Sequence, residues 1–255
     1  MSTEIQCYSK KFLSKIKDDS KYAPMVSFSQ YSKYLKCPYS WKLRYIDKIS
    51  SSKESIDLVF GQAMHTTLQH IITLLYTKTI KAVTEFDYKL FLQTELRKEY
   101  LNRKEKNGGH FSTPEELSEY FLDGVEILSF LIKKRGEYFS KKKIELIAIE
   151  LPILEPIIDT YQVNFKGFVD LILYDSFSKK YLILDFKTSK KGWGDYKKKD
   201  IYTTDQLVLY KLFLSKQYNI PLDDIDIKYF ILKRKIDEAS LWPQKRIQEF
   251  SPSAG

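Results

Sequence analysis

The stretch from Phe168 to Lys187 limits the fold more than any other. Val169, Leu171, Ile172 and Leu173 precede a polar segment, Asp175 to Lys180, and Tyr181, Leu182, Ile183 and Leu184 follow it. Two β-prone apolar runs joined by a short polar segment read as a hairpin. Asp170 lies in the first run, while Asp185 and Lys187 interrupt the continuation of the second. If the hairpin closes by pairing Tyr174 with Tyr181, the same register pairs Asp170 with Asp185, because each step back on one strand is a step forward on the other. Directly opposed side chains have Cβ atoms about 4.5–5.5 Å apart, a separation at which two carboxylates can share a divalent cation. Without a cation they repel, and one is expected to take up a proton. Strand alternation puts Lys187 on the same face as Asp185 and turns Phe186 the other way.

The rest of the chain reads as helix-rich first and sheet-rich later. At 255 residues and 43% hydrophobic content it can bury a sizeable core, most simply as one domain. Residues 1–26 are expected to form a flexible N-terminus. From Ser27, SFSQYSKYLKCPYSWKLRYI offers a serine N-cap and two short helices divided at the Cys37-Pro38 step. Residues 61 to 77 place Met64, Leu68, Ile71 and Leu75 on one helical stripe with His65 beside it. Thr113, Pro114 and Glu116 form a capping-box signature for a long helix to about Phe139. IELIAIELPIL predicts a strand ending near Pro152, Asp205 to Tyr218 a helix, and residues 227 to 234 a last strand. The expected class is α/β (α+β), a small mixed sheet of about four strands flanked by helices. Residues 27–140 make up the helical region and 141–255 the sheet-bearing core, which stops soon after its last strand and is compatible with truncation after Gly255.

Forty-two Lys and Arg against 33 Asp and Glu give a net charge of +9, which favours a polyanionic partner. The loop KKGWGDYKKK, residues 190–199, interleaves five lysines with Trp193 and Tyr196. Lys190, Lys191 and Lys197 suit phosphates, and the two aromatics suit unpaired bases. Arg44, with Lys42 and Trp41, is a further candidate for a strand channel. Two cysteines, Cys7 and Cys37, supply neither a disulfide framework nor a four-cysteine metal site, and a reducing cytoplasm fits. No apolar run is long enough to span a bilayer, and no P-loop for ATP-driven unwinding is present.

Four short motifs occur in order: Gly61-x-x-x-His65, Gly167-x-x-Asp170, Asp185-x-Lys187 and Gln206-x-x-x-Tyr210. Together with the serine-rich start and the Cys-Pro step, they resemble the RecB-like branch of the PD-(D/E)XK nuclease superfamily over roughly residues 27 to 234. The resemblance implies that His65, Asp170, Asp185 and the main-chain carbonyl of Phe186 hold Mg²⁺ or Mn²⁺, with Glu150 as a second-metal or supporting acid. Lys187 would orient the attacking water and stabilise phosphoryl charge, while Gln206 and Tyr210 would position the site and contact the nucleic-acid backbone. The implied activity is a metal-dependent deoxyribonuclease acting on ends or single strands in recombination, repair or replication, with a helicase or recombination protein as a partner. The alternative is a non-catalytic nucleic-acid-binding or helicase-docking module; such members usually lose an acid or the lysine, and none is missing here. Some relatives hold an iron–sulfur cluster with four cysteines, one of them at the Cys-Pro step. With Cys37 there and no cysteine after it, no cluster is expected and Cys37 reads as a small buried residue.

Overall fold

The computed structural model describes residues 6–18, 24–49, 54–140, 142–158, 163–237 and 239–253. At its centre is one mixed sheet of seven strands rather than four. Three long strands are adjacent in sequence and in space: β3 (Ile144–Ile158), β4 (Val163–Asp175) and β5 (Lys180–Ser189). They pair antiparallel, with Tyr174 opposite Tyr181 as the hairpin pattern requires. β3 does not end at Pro152 but runs on through Pro156, with a register irregularity between Pro156 and Ile158.

Helix α9 (Ile201–Tyr218) carries the chain back across the sheet to β6 (Ile225–Lys233), which lies parallel to β5, and β7 (Ile247–Phe250) closes that edge antiparallel to β6. The remaining two strands are only two residues long, too short to show periodicity. β1 (Gln6–Cys7) pairs with β3, and β2 (Met25–Val26) pairs parallel with the start of β4 at Asn164 and Phe165. Within the stretch expected to form a flexible start, residues 6–18 and 24–26 are described and contribute β1, a short helix and β2. Helix α1 (Lys10–Leu13) buries Phe12 completely, stacking its ring on Tyr218 at 4.3 Å. Residues 1–5 and 19–23 of that stretch lie outside the described residues.

The sheet separates two apolar layers by alternation along its strands, interrupted at Glu150 and Asp170, so that Val169 and Leu171 fall on opposite sides. Leu171, Leu173, Leu184, Phe186, Phe230 and Leu232 face α4 (Ile56–Thr77), α6 (Tyr88–Asn107) and α7 (Pro114–Tyr138). Val169, Ile172, Ile183, Tyr229 and Ile231 face α1 and α9. α2 (Phe28–Lys36) and α3 (Pro38–Tyr45) are the two short helices expected around the Cys-Pro step, and α5 (Ile80–Glu85) links α4 to α6. Ser27 and Thr113 cap α2 and α7 by accepting from the Gln30 and Glu116 main-chain N–H groups. Glu116 does not reach back to the cap; its carboxylate accepts from the Ser112 hydroxyl. Cys37 is exposed rather than buried, because it is the N-cap of α3 and its sulfur accepts from the Ser40 N–H.

Candidate metal centre and catalytic lysine

The site forms where one edge of β4 changes partners. β5 pairs with β4 from Asp175 back to Leu171, opposite Leu184, and the ladder stops there; β2 takes up the same edge only at Phe165 and Asn164. The expected opposition of Asp170 and Asp185 therefore does not occur. The strands separate one step earlier, and Asp170 Oδ2 instead accepts from the Phe186 N–H at 2.7 Å. A side chain thus satisfies a buried backbone donor at the point where the ladder gives out.

From the α4 side, His65 enters this fork. Its Nε2 lies 2.6 Å from the Phe186 carbonyl oxygen, and its Nδ1 lies 3.5 Å from Asp170 Oδ2. Burial and then the charge of Lys187 lower the His65 pKa and favour neutral imidazole. With Nε2–H donating to the carbonyl, Nδ1 turns a lone pair toward a carboxylate oxygen. Two acceptors then face each other, an arrangement relieved by a cation or a proton between them.

Glu150 supplies the third group. The pairs Ile149–Leu171 and Leu151–Val169 bracket it opposite Asp170 across the β3–β4 ladder. Its backbone has φ +52° in mid-strand, a left-handed conformation rarely adopted by a residue with a Cβ, and its Oε1 accepts from Gln69 Nε2 on α4 at 2.6 Å. Such local strain persists only where the surrounding structure fixes it and clusters at functional sites. Ligand atoms of His65, Glu150 and Asp170 all lie within 4.8 Å of one another. Burial, reinforced by Asp170, raises the Glu150 pKa to about 6. Burial, reinforced by Asp185, raises that of Asp170. Two carboxylates that resist ionisation beside a neutral imidazole are a donor set suited to a hard divalent cation, whose charge opposes both shifts. The residues present fit Mg²⁺ or Mn²⁺, the imidazole favouring Mn²⁺.

Asp185 is 2% exposed and takes another role here: its Oδ2 lies 2.7 Å from Lys187 Nζ, outside the three-residue group. Burial works against the Lys187 charge, but Asp185 and then Asp170 outweigh it, and the ammonium pKa is raised. Lys187 Nζ also donates to Gln206 Oε1 at 3.0 Å, and Gln206 Nε2 donates to Tyr210 Oη at 3.1 Å. One turn of α9 thus orients the lysine from the face opposite α4. Gly167 makes this possible, since a Cβ there would come 2.7 Å from Tyr210 Cε1. The Gly61 position, in contrast, has only ordinary contact with Thr188, at 3.5 Å.

The other predicted contacts divide. Lys190, Lys191, Tyr196 and Lys197 are exposed on the loop that leaves β5, with Tyr196 93% exposed. Part of that loop is helical, α8 (Asp195–Lys198). Trp193 is no stacking surface for bases. It is buried against Tyr229 and Phe250, while Gln248 brackets its backbone by accepting from its N–H and donating to its carbonyl. Arg44 is exposed on α3, with its guanidinium over Tyr45. Sequence reasoning missed Gln69, which holds Glu150; the one available signal was its position one helical turn after His65.

A solved structure from Eubacterium rectale described as a "Putative exonuclease" aligns with 97% of this chain and 76% of its own, at 12% identity and a TM-score of 0.47. No curated protein matches the sequence. The family model of the PD-(D/E)XK nuclease superfamily matches residues 25–252, a span that runs from β2 through β7 and takes in every residue of the site. The chain belongs to the PD-(D/E)XK nuclease superfamily.

Proposed function

We propose that the chain is a divalent-metal-dependent nuclease of the RecB-like branch that hydrolyses DNA phosphodiester bonds at ends or in single strands. The observation that carries this reading is the convergence of His65, Glu150 and Asp170 within 4.8 Å on one side of Lys187, which Asp185, Gln206 and Tyr210 hold charged and oriented. Bound Mg²⁺ or Mn²⁺ supplies Lewis acidity at the phosphoryl oxygen and lowers the pKa of water. His65, Glu150 and Asp170 are the residues to hold it. Lys187 donates hydrogen bonds to the oxygens on which negative charge builds as water attacks phosphorus and the bond to the departing sugar oxygen breaks. Gln206, fixed through Tyr210, keeps the ammonium from folding back onto Asp185 alone. Roles in recombination or repair, and a helicase partner, accord with the branch.

The test is cleavage of labelled linear single-stranded, linear duplex and closed circular DNA with Mg²⁺, Mn²⁺ or EDTA. Asp170→Asn and Lys187→Ala are each expected to lower the rate at least about 100-fold, the scale on which one electrostatic contact to a transition state acts. Sparing of circles marks an exonuclease. Undiminished cleavage by either variant, or cleavage in EDTA, would sink the assignment.

A further inference from the structure

A cleft of about 520 Å³ opens beside the site between α2, the start of α3 and the first turns of α9. Lys187 and Gln206 form its inner end. Its outer wall carries Lys33 and Lys36 from α2, with Ser29 and Ser40 nearby and Thr203 opposite. No carboxylate lines it, and neither Lys33 nor Lys36 has an ion-pair partner among the described residues. Instead Lys36 Nζ sits 5.0 Å from the centre of the Tyr202 ring. The Ser32 hydroxyl donates to the Tyr202 carbonyl and ties α2 to α9, so the two walls are fixed relative to each other. Uncompensated ammonium groups, hydroxyls and the Tyr202 ring in one cleft form a surface for phosphates and unstacked bases.

We infer that this cleft is a binding site for single-stranded nucleic acid, and that Lys33 and Lys36 hold the backbone phosphates of the nucleotides adjacent to the one at Lys187. The inference rests on the nuclease reading of the site and adds to it the residues that hold a single strand beside Lys187. The volume lies in the range of small-ligand pockets of about 300–1,000 Å³. It takes a short stretch of one strand, with the Tyr202 ring for base contact. Arg44, Lys42 and Trp41, the residues expected to form such a channel, do not line it; Lys42 is paired with Asp47.

The test measures binding apart from cleavage. Fluorescence anisotropy in EDTA compares 12-nucleotide single strands of DNA and of RNA with a blunt hairpin duplex, for the full chain and for Lys33→Glu/Lys36→Glu. The wild type is expected to prefer single strands, and the variant to bind them at least about ten-fold more weakly, with a salt slope shallower by about 1.4, two phosphate contacts' worth. The DNA and RNA arms show which sugar the cleft accepts. A milder variant, Lys33→Gln/Lys36→Gln, repeats the measurement if charge reversal unfolds the protein. As a second readout, Cys37 lines the cleft, so a bound single strand should slow its maleimide modification in a Cys7→Ser background while the duplex does not. Single-strand binding unchanged in the lysine variants, or equal binding of duplex, overturns the cleft assignment whether or not the wild type cleaves. Lysine-dependent single-strand binding without cleavage in Mn²⁺ upholds the cleft and overturns the nuclease reading instead.

Discussion

Two glycines open motifs in this chain, yet the structure asks different things of them. Gly167 gives its missing side chain to the Tyr210 ring, 2.7 Å from where a Cβ would be. Gly167→Ala is therefore expected to push Tyr210 away, loosen Gln206 and let Lys187 drift, with a stability cost of about 1–3 kcal/mol for overpacking. Activity should fall further than stability, and denaturant melts beside cleavage rates would show that split. Gly61 lies within α4 and has room for a methyl group. Gly61→Ala should leave cleavage intact and raise stability by about 0.5–1 kcal/mol, the usual gain from replacing glycine in a helix. A reversed ranking of the two variants would contradict the packing described here. Gly167 was legible as a motif letter, but its reason was not, because the ring that needs the space comes from a helix 43 positions later (210 less 167).

At the scale of elements, helices and strands with an apolar stripe were readable, whereas those set by long-range contacts were not. α6 shows the difference: it buries Leu92, Glu95, Leu96 and Tyr100, but polar residues surround them and the stripe is diluted. Trp193 misled for a related reason. Glycines and lysines made its loop look solvated, but β7, a strand of four residues, supplies the Gln248 that pins it. Two contacts between elements yield predictions. Arg234, just past β6, is buried with its guanidinium 2.7 Å from Asp123 on α7 and stacked 3.6 Å from the centre of the Tyr120 ring. Asp123→Ala leaves that buried charge with the exposed Glu119, 4.0 Å away, in place of its close partner and should cost about 3–5 kcal/mol in urea unfolding. His70 on α4 lies between Phe86 and Phe91, at 4.7 and 4.8 Å, and burial lowers its pKa from 6.5. The unfolded chain therefore takes up the proton first as pH falls through 6.5, and His70 draws stability down below that value. Midpoints measured at pH 7.5 and 5.5 should fall closer together in His70→Phe than in the wild type.

For the molecule as a whole, the hairpin and the order of the motifs were enough to anticipate a mixed sheet between helices. The sheet's outer strands were not visible, because β1 and β2 are two residues each and exist only through partners far along the chain. The same distance effect altered the site. Extending the hairpin register by one pair predicted facing aspartates, but the ladder ends first; Glu150 lies with His65 and Asp170 in the group that could hold a metal, and Asp185 Oδ2 lies 2.7 Å from Lys187 Nζ. Among the described residues no helix is long and apolar enough to cross a membrane.

The carboxylate at the fork of β4 and β5 serves two tasks with one group. Asp170 belongs to the candidate metal group and also finishes the hydrogen bonding of the sheet at Phe186. Chemistry and architecture therefore share a failure point. Losing Asp170 would take a carboxylate from the candidate metal group and leave the Phe186 N–H without its acceptor, whereas losing Lys187 would leave the sheet's hydrogen bonds in place and strand the buried Asp185 carboxylate. A lineage of this fold drifting from cutting to mere holding would meet a cost at either letter, in the seam of the sheet at the aspartate and in a stranded buried charge at the lysine.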